Sequence, residues 1–212
     1  MDSTLTKDLL LIFTRNPEAG KVKKRLAATI GNEAALNIYL HLLAHTAKIT
    51  RELHAEKWVF YSEEIPQEDI WDKDIFSKKL QQGSDLGERM ENAFRSGFEA
   101  GFRNIIIIGS DLYDLSKEDL EMAFLELQQA EAVIGPAKDG GYYLLGLKSL
   151  SSKIFKKKNW GGSSVFTSTL TDLKNHKLTQ LEPRNDIDRF EDLQQHPDLL
   201  KLISTKDEEQ LF

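Results

Sequence analysis

The most informative stretch of the chain is residues 9–26, LLLIFTRNPEAGKVKKRL, in which an apolar run is followed by a basic loop. The run Leu9–Phe13 predicts a strand buried in a sheet. The loop after it contains a Pro, a Gly and the cations Arg15, Lys21, Lys23, Lys24 and Arg25. Open α/β sheets bind ligands at the carboxyl ends of their strands, and phosphate is a common partner of Gly-containing basic loops. The stretch therefore favours a phosphate site, with a solvated basic turn as the alternative.

The rest of the chain alternates short apolar runs with amphipathic segments. The apolar runs predict strands at 58–61, 105–108, 133–134, 142–147 and, more weakly, 178–181. Helical spacing predicts helices at 33–53, after 90 to about 101, and at 116–129, 165–174 and 190–195. Asn32 is the predicted N-cap of the first helix, and Ser116 with Asp119 begins the third. Because strands alternate with helices, we predict an α/β fold with a mostly parallel sheet covered by helices on both faces. No repeat or linker divides residues 1–212, so we expect one domain.

Composition excludes several classes of function. The net charge is −6 over 212 residues, which argues against nucleic-acid or membrane partners that need a broad basic surface. The chain has no cysteine, so disulfides, thiolate nucleophiles and Cys-based zinc sites are excluded. Residues 1–7 lack the apolar core of a signal peptide, and no apolar run has transmembrane length. We therefore expect a cytoplasmic protein.

Asp111 is the first candidate for metal chemistry. It follows the run Ile105–Ile108 directly, in the sequence Gly109-Ser110-Asp111. A carboxylate at this edge of the sheet suits a divalent cation, and Mg²⁺ typically needs only one or two protein carboxylates. The alternative is an Asp that stabilises a turn or caps a helix, because Asp114 and Ser116 follow closely.

The segment Asp139-Gly140-Gly141-Tyr142 carries a second signal. Two adjacent glycines let the backbone approach a ligand closely or adopt positive φ, and a strand follows them. An Asp-Gly pair is also the strongest short signal for a β-hairpin. The two interpretations are compatible, since a tight turn can present Asp139 and the glycine amides to a substrate.

Two further acidic segments have a structural alternative. The loop that begins at Gly83 leads into a helix whose first amides suit a base or phosphate, although Asp85 and Glu88 are ordinary first-turn acids. Asp186 and Asp188 lie on the same side of an extended segment and suit a metal ion. Asp188 equally suits the N-cap of the next helix, with Glu191 completing a capping box.

Other familiar sites are disfavoured. His41 and His45 are four residues apart on one helix, but no third ligand lies nearby in the sequence, so an amphipathic surface is the better interpretation. The first loop is not a P-loop, because Val22 follows Gly20-Lys21 in place of Ser or Thr. It also lacks the G-x-G-x-x-G pattern of dinucleotide-binding proteins.

Four segments together resemble a bacterial family of small glycosyltransferase-A-like (GT-A-like) proteins of largely unknown function. Some members are named arsenosugar-biosynthesis-type glycosyltransferases, and nucleotidyltransferases are more distant relatives. The family's patterns are F-x-R/K-x-P-x-x-G-K-x-K-T-R-L, Q-x-G-x-x-L-G-x-R-M, G-S-D-x-P and G-P-x-x-D-G-G-Y-Y-L-x-G-L. They correspond here to residues 13–26, 81–90, 109–113 and 135–147, which span most of the chain.

The resemblance implies a nucleotide-diphospho-sugar transferase fold and transfer of a sugar from a nucleotide sugar to a small-molecule acceptor. It implies substrate contacts from Arg15, Lys21, Lys23, Arg25, Gly83, Gly140, Gly141 and Tyr142. Asp111 is expected to hold Mg²⁺ or Mn²⁺, with Asp139, Asp186 and Asp188 as further candidate ligands. Asp139 and Asp111 are the expected catalytic residues. For Asp139, the roles of metal ligand, sugar-hydroxyl acceptor and general base all stay open.

Three departures from the family pattern keep alternatives open. Lys24 replaces a Thr, Tyr113 replaces a Pro, and Gly161-Gly162 replaces Ser-Thr after Trp160. One alternative is a nucleotidyltransferase that acts on a phosphorylated small molecule and releases pyrophosphate. Its usual mark is a first loop with several glycines, whereas this loop has only Gly20. The other alternative is a non-catalytic nucleotide-binding protein. The oligomeric state is left open.

Overall fold

The structure is a computed structural model that describes residues 7–208. Its strands are β1 (Asp8–Thr14), β2 (Glu56–Tyr61), β3 (Ser77–Leu80), β4 (Asn104–Gly109), β5 (Ala132–Pro136), β6 (Tyr142–Leu147) and β7 (Leu178–Gln180). Its α-helices are α1 (Lys24–Ile30), α2 (Asn32–Arg51), α3 (Leu86–Glu99), α4 (Lys117–Gln129), α5 (Val165–Leu173), α6 (Phe190–Leu193) and α7 (Pro197–Glu208). A 3₁₀ turn covers Ser152–Phe155.

The strands form one sheet in the order β3-β2-β1-β4-β6-β5-β7. Strand β6 pairs antiparallel with both β4 and β5, and the other pairings are parallel. The hairpin between β5 and β6 is the one that the Asp-Gly pair predicts. The prediction of a mostly parallel sheet is confirmed.

Side chains of the central strands alternate between two apolar layers. Leu10 and Ile12 of β1 pack with α2 and α4 on one face, whereas Leu9 and Leu11 pack with α3 and α5 on the other. All four side chains are fully buried. Because both faces of β1 and β4 are covered, these strands are continuous apolar runs. The predicted α/β fold with helices on both faces of the sheet is confirmed.

A third apolar cluster anchors the basic segment. Leu26 of α1 packs with Ile38 and Leu42 of α2, and with Ile187, Leu193 and Leu199 near the carboxyl end of the described chain. Burial of Leu26 fixes α1 against α2, so the cations around it project from a packed helix. Burial of Ile187 fixes the segment that carries Asp186 and Asp188.

The element predictions were incomplete in three places. Strand β3 was missed because its sequence, SKKL, lacks an apolar alternation and lies at the sheet edge. Helix α1 was missed because its short sequence begins with two cations and was interpreted as part of the basic loop. Helix α7 was missed because the last helix was predicted at 190–195 and none was predicted after it. The N-cap of α2 is Gly31 instead of Asn32, whereas Ser116 and Asp119 form the predicted capping box of α4.

The prediction that no signal peptide is present concerns residues 1–7, of which 1–6 lie outside the described residues. Over residues 7–208, no helix is both long enough and apolar enough to cross a membrane.

A substitution at Gly97 of α3 tests how closely this helix packs on the sheet. A Cβ added there would lie 2.6 Å from Cδ1 of Ile105 and 2.7 Å from Cδ2 of Leu9, both fully buried. We expect Gly97→Val to lower the free energy of unfolding by about 2–3 kcal/mol, because the core must shift to admit the new side chain. Ser96→Val on the exposed side of the same helix is the matched control, with a change below about 1 kcal/mol. Equal effects of the two substitutions in urea denaturation would contradict the close packing.

Candidate functional site

Two cavities adjoin at the carboxyl ends of β1, β4 and β5. The larger cavity has a volume of about 800 Å³ and is bordered by the cations Arg15, Lys21, Lys23, Lys24, Arg25 and Arg89. The smaller cavity has a volume of about 260 Å³ and is bordered mainly by apolar and aromatic side chains. The residues that border both are Phe13, Leu86, Gly109, Asp111, Asp139 and Gly161. Arg15, Asp111 and Asp139, which the sequence places at three strand ends, therefore border one cavity.

Lys23 turns from the basic loop into the sheet edge. Its backbone is left-handed, with φ 46° and ψ 44°, immediately before α1. Its neighbour Val22 is buried in the core. The Lys23 side chain is 4% exposed, and its Nζ donates to Oδ2 of Asp111 at 2.8 Å. The Asp111 side chain is 39% exposed, so this carboxylate still faces the cavity.

Each member of this ion pair keeps the other charged. Burial opposes ionisation of Asp111, but the Lys23 ammonium and its hydrogen bond hold the pKa of that carboxyl below its usual range. Burial likewise opposes protonation of Lys23, and Asp111 raises the pKa of Lys23 above its usual value. Arg15 also favours the ionised form of Asp111. Near neutral pH the site therefore contains a fixed ammonium–carboxylate pair.

A buried hydroxyl network fixes the ends of β1 and β4. The Tyr39 hydroxyl accepts a hydrogen bond from the Arg15 backbone N at 2.9 Å and lies 3.4 Å from Ser110 Oγ. Ser110 Oγ donates to Thr14 Oγ1 at 3.1 Å. Burial is the largest cause of the raised pKa of Tyr39, so its phenol stays protonated. The network holds the backbone of Arg15 in place while its side chain stays exposed.

The segment 81–90 supplies a bridge and a further cation. Gln81 Nε2 donates to the backbone oxygens of Thr14 and Phe60, at 3.1 and 3.0 Å, and so joins the ends of β1 and β2. Arg89 donates to Gln81 Oε1 and to the Gly83 backbone oxygen. Arg89 borders the larger cavity, and the sequence analysis missed it although it lies in a quoted pattern.

Gly83 lets the loop pack closely against the backbone of α3. It borders neither cavity, and a Cβ there would lie 2.7 Å from the Arg89 backbone N. Asp85 caps α3 by accepting from Glu88 N, which is the alternative given for these acids. The expected substrate contact of Gly83 stays a prediction.

The turn between β5 and β6 presents Asp139 at the junction of the two cavities. Asp139 Oδ1 accepts from Gly141 N at 2.8 Å, which stabilises the turn. Gly140 has φ 93°, and a Cβ there would lie 2.2 Å from the Ser163 backbone oxygen. Gly141 and Tyr142 border the smaller cavity, whereas Gly140 borders neither. The hairpin and the site interpretations of this segment thus describe the same turn.

Asp186 and Asp188 point away from the buried Ile187 between them and border different cavities, the smaller and the larger respectively. Burial, followed by the negative charges of Asp111 and Asp139, raises the pKa of Asp186 to about 6. Asp188 accepts from Arg25 Nη1 at 2.8 Å. The capping interpretation of Asp188 is wrong, since Asp192 accepts from the backbone N of Arg189, the N-cap of α6.

Lys21, His41 and His45 each contact other side chains. Lys21 pairs with Glu18 at 2.8 Å and Glu63 at 3.5 Å on the rim of the larger cavity. The rings of His41 and His45 lie against the ring of Tyr113, with centroid distances of 6.0 and 5.1 Å. Tyr113 donates to Asp198 of α7 and borders neither cavity. The departure at Tyr113 therefore stabilises helix packing outside the two cavities.

Acidic oxygens concentrate where the cavities meet, in the form of Asp111, Asp139 and Asp186. In the part of the chain that the structure describes, no group of three or more His, Asp or Glu side chains is arranged to hold a metal ion. Asp111, the expected metal ligand, has Lys23 as its cationic partner.

A model of the family described as "Uncharacterized protein conserved in bacteria (DUF2064)" matches residues 45–162. The chain belongs to this family. The matched DUF2064 segment includes Arg89, Asp111 and the Asp139 turn. A search among curated proteins found no significant match.

Solved structures share the fold of this chain. A candidate nucleotide-diphospho-sugar transferase from Desulfovibrio desulfuricans G20 is 30% identical, with 96% of both chains covered and a TM-score of 0.86. A cytidylyltransferase from Leptospira borgpetersenii serovar Hardjo-bovis (strain JB197) is 15% identical, with 97% of this chain and 95% of that chain covered and a TM-score of 0.60. Rv0371c from Mycobacterium tuberculosis H37Rv, in complex with manganese, is 11% identical, with coverages of 90% and 97% and a TM-score of 0.54. The last two likenesses concern the fold alone. The predicted GT-A-like family and fold are confirmed.

Asp186 gives a test of the site's electrostatics. Because the pKa of Asp186 is raised to about 6, the folded protein bears an unfavourable ionised carboxylate at pH 8. As the pH falls from 6 toward the ordinary Asp pKa of about 3.9, the folded protein takes up a proton there before the unfolded chain does, and the cost shrinks until it disappears below that value. Asp186→Asn never ionises, so we expect it to raise the melting temperature relative to wild type at pH 8 and to lose about half of that advantage at pH 5. Thermal melts in the presence of a chelator measure both differences.

Asp188→Asn is the matched control for this prediction, because Asp188 is stabilised by Arg25 and gains nothing from neutralisation at pH 8. An advantage of Asp186→Asn that is equal at the two pH values, or larger at pH 5, would contradict the raised pKa.

Proposed function

We propose that this DUF2064 protein, acting as one domain, is a glycosyltransferase that moves a sugar from a nucleotide-sugar donor to a small acceptor. The observation that carries the proposal is the meeting of two chemically different cavities at Asp111 and Asp139. The larger cavity provides cations for a diphosphate, and the smaller one provides a separate place for an acceptor. A transferase needs both substrates held together in this way.

In this proposal the donor's diphosphate lies in the larger cavity. Arg15, Lys21 and Arg25 are exposed on its border. To bind phosphate oxygens, Lys21 would exchange Glu18 and Glu63 for them, and Arg25 would exchange Asp188. Arg89 extends the same cationic surface from α3. As the bond between the sugar and the diphosphate breaks, negative charge develops on the leaving diphosphate, and fixed cations stabilise it.

Lys23 is assigned a more specific role. It is already desolvated and charged, and Asp111 is its anionic partner in the structure. When a phosphate enters, the Lys23 ammonium exchanges the Asp111 carboxylate for a phosphate oxygen. This exchange frees the carboxylate to accept another cation, so binding of phosphate and binding of a divalent cation favour each other.

The residues present fit Mg²⁺ or Mn²⁺. Hard divalent cations prefer carboxylate oxygens and are often held by one or two carboxylates together with substrate phosphates. Asp111 would hold the ion, with Asp186 as a further ligand, since the negative charge of Asp111 acts on Asp186. A bound ion would neutralise charge on the leaving diphosphate. Asp188 pairs with Arg25 and is a weaker candidate for this role.

Asp139 is assigned to the acceptor. Its Oδ1 accepts from Gly141 N, which orients the carboxylate at the junction of the cavities. The acceptor oxygen attacks the anomeric carbon, and the bond from that carbon to the diphosphate oxygen breaks with its electron pair. The acceptor's proton passes to Asp139, which acts as general base.

A nucleotidyltransferase is the second candidate, because a cytidylyltransferase shares the fold and the cationic cavity has room for a triphosphate. The products separate the two reactions. Glycosyl transfer releases a nucleoside diphosphate, whereas nucleotidyl transfer releases pyrophosphate. Tight nucleotide binding with neither product, across panels of nucleotide sugars and triphosphates, would instead favour a non-catalytic nucleotide-binding protein.

The variant Asp111→Asn tests the proposal. In wild type, we expect a nucleoside diphosphate with Mn²⁺ to raise the melting temperature, since a ligand at a hundred times its dissociation constant stabilises by about 2.7 kcal/mol. Asp111→Asn keeps the side chain's size but removes a charged oxygen ligand. We expect the variant to be less stable than wild type, because the buried Lys23 ammonium loses its anionic partner, but still to fold. The folded variant should lose the extra affinity that Mn²⁺ gives, measured by titrating nucleotide with Mn²⁺ and with chelator.

Lys24→Met is the matched control, because Lys24 is exposed at the cavity border and has no assigned part in metal binding. It should keep the gain in affinity that Mn²⁺ gives. If no nucleoside diphosphate shifts the melting temperature of wild type, the proposed function fails. If affinity is equal in wild type and Asp111→Asn under both conditions, the metal role of Asp111 fails.

A further inference from the structure

We infer that the acceptor is an uncharged molecule that carries a hydroxyl group on an apolar or aromatic body, and that this body binds in the smaller cavity. The inference rests on the proposed function and specifies the acceptor's chemical class. It follows from the walls, the charges and the size of the cavity.

The walls of the smaller cavity are apolar and aromatic. Ile107, Leu112 and Val165 border it, together with the rings of Tyr142 and Trp160. The Tyr142 hydroxyl donates to Met90 Sδ at 3.7 Å, so this polar group already has a partner within the protein. Such walls recognise a ligand by burial of apolar surface and by contact with ring faces.

The aromatic wall is held rigidly. A Cβ on Gly87 would lie 2.5 Å from Cζ2 of Trp160, so the indole packs directly on the first turn of α3. The loop before Trp160 is fastened by Lys158, whose buried ammonium donates to Asp172 at 2.9 Å and to Ser168 at 2.8 Å. A wall fixed from two sides is preformed for a ligand and needs little ordering when the ligand binds.

The charges of the smaller cavity are all negative. Asp111, Asp139 and Asp186 border it, and no Lys, Arg or His among the described residues does. Lys23 offsets only Asp111, and it does so from the side of the larger cavity. In the proposed function the charge of an ion at Asp111 is matched by the donor's diphosphate. A phosphorylated or carboxylated acceptor therefore still meets uncompensated negative charge at Asp139, and in the metal-free protein at all three carboxylates, which weakens its binding more than about tenfold.

The two cavities thus separate two kinds of chemistry. Among the described residues that border the two cavities, the cations all border the larger one. An anionic group would therefore bind there, and in the proposed function the donor's diphosphate occupies that cavity. A free sugar is also a poor occupant of the smaller one, because its many hydroxyls would be buried against hydrocarbon with few partners. A single hydroxyl at the Asp139 end satisfies both the apolar walls and the carboxylate. A volume of about 260 Å³ admits one substituted ring or a short chain.

Matched probes test the inference by amide NMR of the whole 212-residue chain, in the presence of a chelator so that no metal ion offsets the carboxylates. Benzyl alcohol and benzyl phosphate share a ring and differ in charge, and methyl glucoside represents a free sugar. We expect benzyl alcohol to perturb the amides of Gly141, Gly162 and Val165 with at least tenfold higher affinity than the other two probes. Benzyl phosphate should instead perturb Lys23 and Arg25, and a nucleoside diphosphate should displace it from there.

Ala137→Arg sharpens the test by adding a cation to the border of the smaller cavity, where Ala137 is half-buried. We expect this variant to gain at least about tenfold in affinity for benzyl phosphate at the amides of Gly141 and Val165. Ala100→Arg, an exposed site directly after α3, is the matched control and should leave both affinities unchanged.

Three results would overturn the inference: benzyl phosphate or methyl glucoside binding in the smaller cavity of wild type as tightly as benzyl alcohol, or no probe binding there at all. A different result would show that the proposed function fails. In that case a nucleoside diphosphate would not perturb the amides of Lys23 and Arg25, whatever the three probes do in the smaller cavity.

Discussion

The ion pair between Lys23 and Asp111 organises this molecule's sheet edge. It joins the basic loop after β1 to the end of β4, with a distance of 2.8 Å between Nζ and Oδ2. Removing one partner of such a pair is costly, because the other charge is left desolvated without compensation. Lys23 also has a left-handed backbone, which costs a non-glycine residue roughly 1–2 kcal/mol. A strained residue whose buried ammonium pairs with a carboxylate at a cavity border is typical of a functional site.

Neighbouring features serve to hold this pair in position. The apolar cluster around Leu26 fixes α1, and Val22 anchors the loop in the core. The hydroxyl network of Tyr39 fixes the ends of β1 and β4 beneath the pair. The carboxylates of Asp139 and Asp186 lie on the other side, where burial, together with the negative charges of Asp111 and Asp139, raises the pKa of Asp186 to about 6. The site thus has a cationic part, which borders the larger cavity, and an anionic part, which borders the smaller one. The two parts meet at the contact between the Lys23 ammonium and the Asp111 carboxylate.

Sequence reasoning predicted the fold well because its signals are local. The buried run Ile105–Ile108 and the capping box at Ser116 each depend on only a few residues. The Asp139-Gly140 pair gave the hairpin for the same reason. Strand β3 was missed because an edge strand needs no apolar face, so its four residues carry no periodic signal.

The candidate site was predicted less completely, because contacts between distant residues leave no mark in one sequence. Arg15, Asp111 and Asp139 each follow a predicted strand, and the carboxyl ends of parallel strands lie at one edge of a sheet, so their common cavity agrees with the predicted fold. The pairing of Lys23 with Asp111 spans 88 positions, and neither residue type nor spacing indicates it. The partner of Asp188 is Arg25, which no capping pattern predicts. Arg89 was overlooked because a charged residue in the first turns of a predicted helix is typical of an ordinary solvent-exposed helix face.

The central claim is that Lys23 exchanges Asp111 for a phosphate oxygen when nucleotide binds. Lysine-ammonium NMR of ¹⁵N-labelled protein tests it most directly, with the Lys23 signal assigned by its loss in Lys23→Arg. On addition of a nucleoside diphosphate and Mg²⁺, the account predicts a shift of the Lys23 ¹⁵Nζ signal and a scalar coupling from that nitrogen to ³¹P. Saturation with nucleotide that leaves the Lys23 signal unshifted and uncoupled would contradict it.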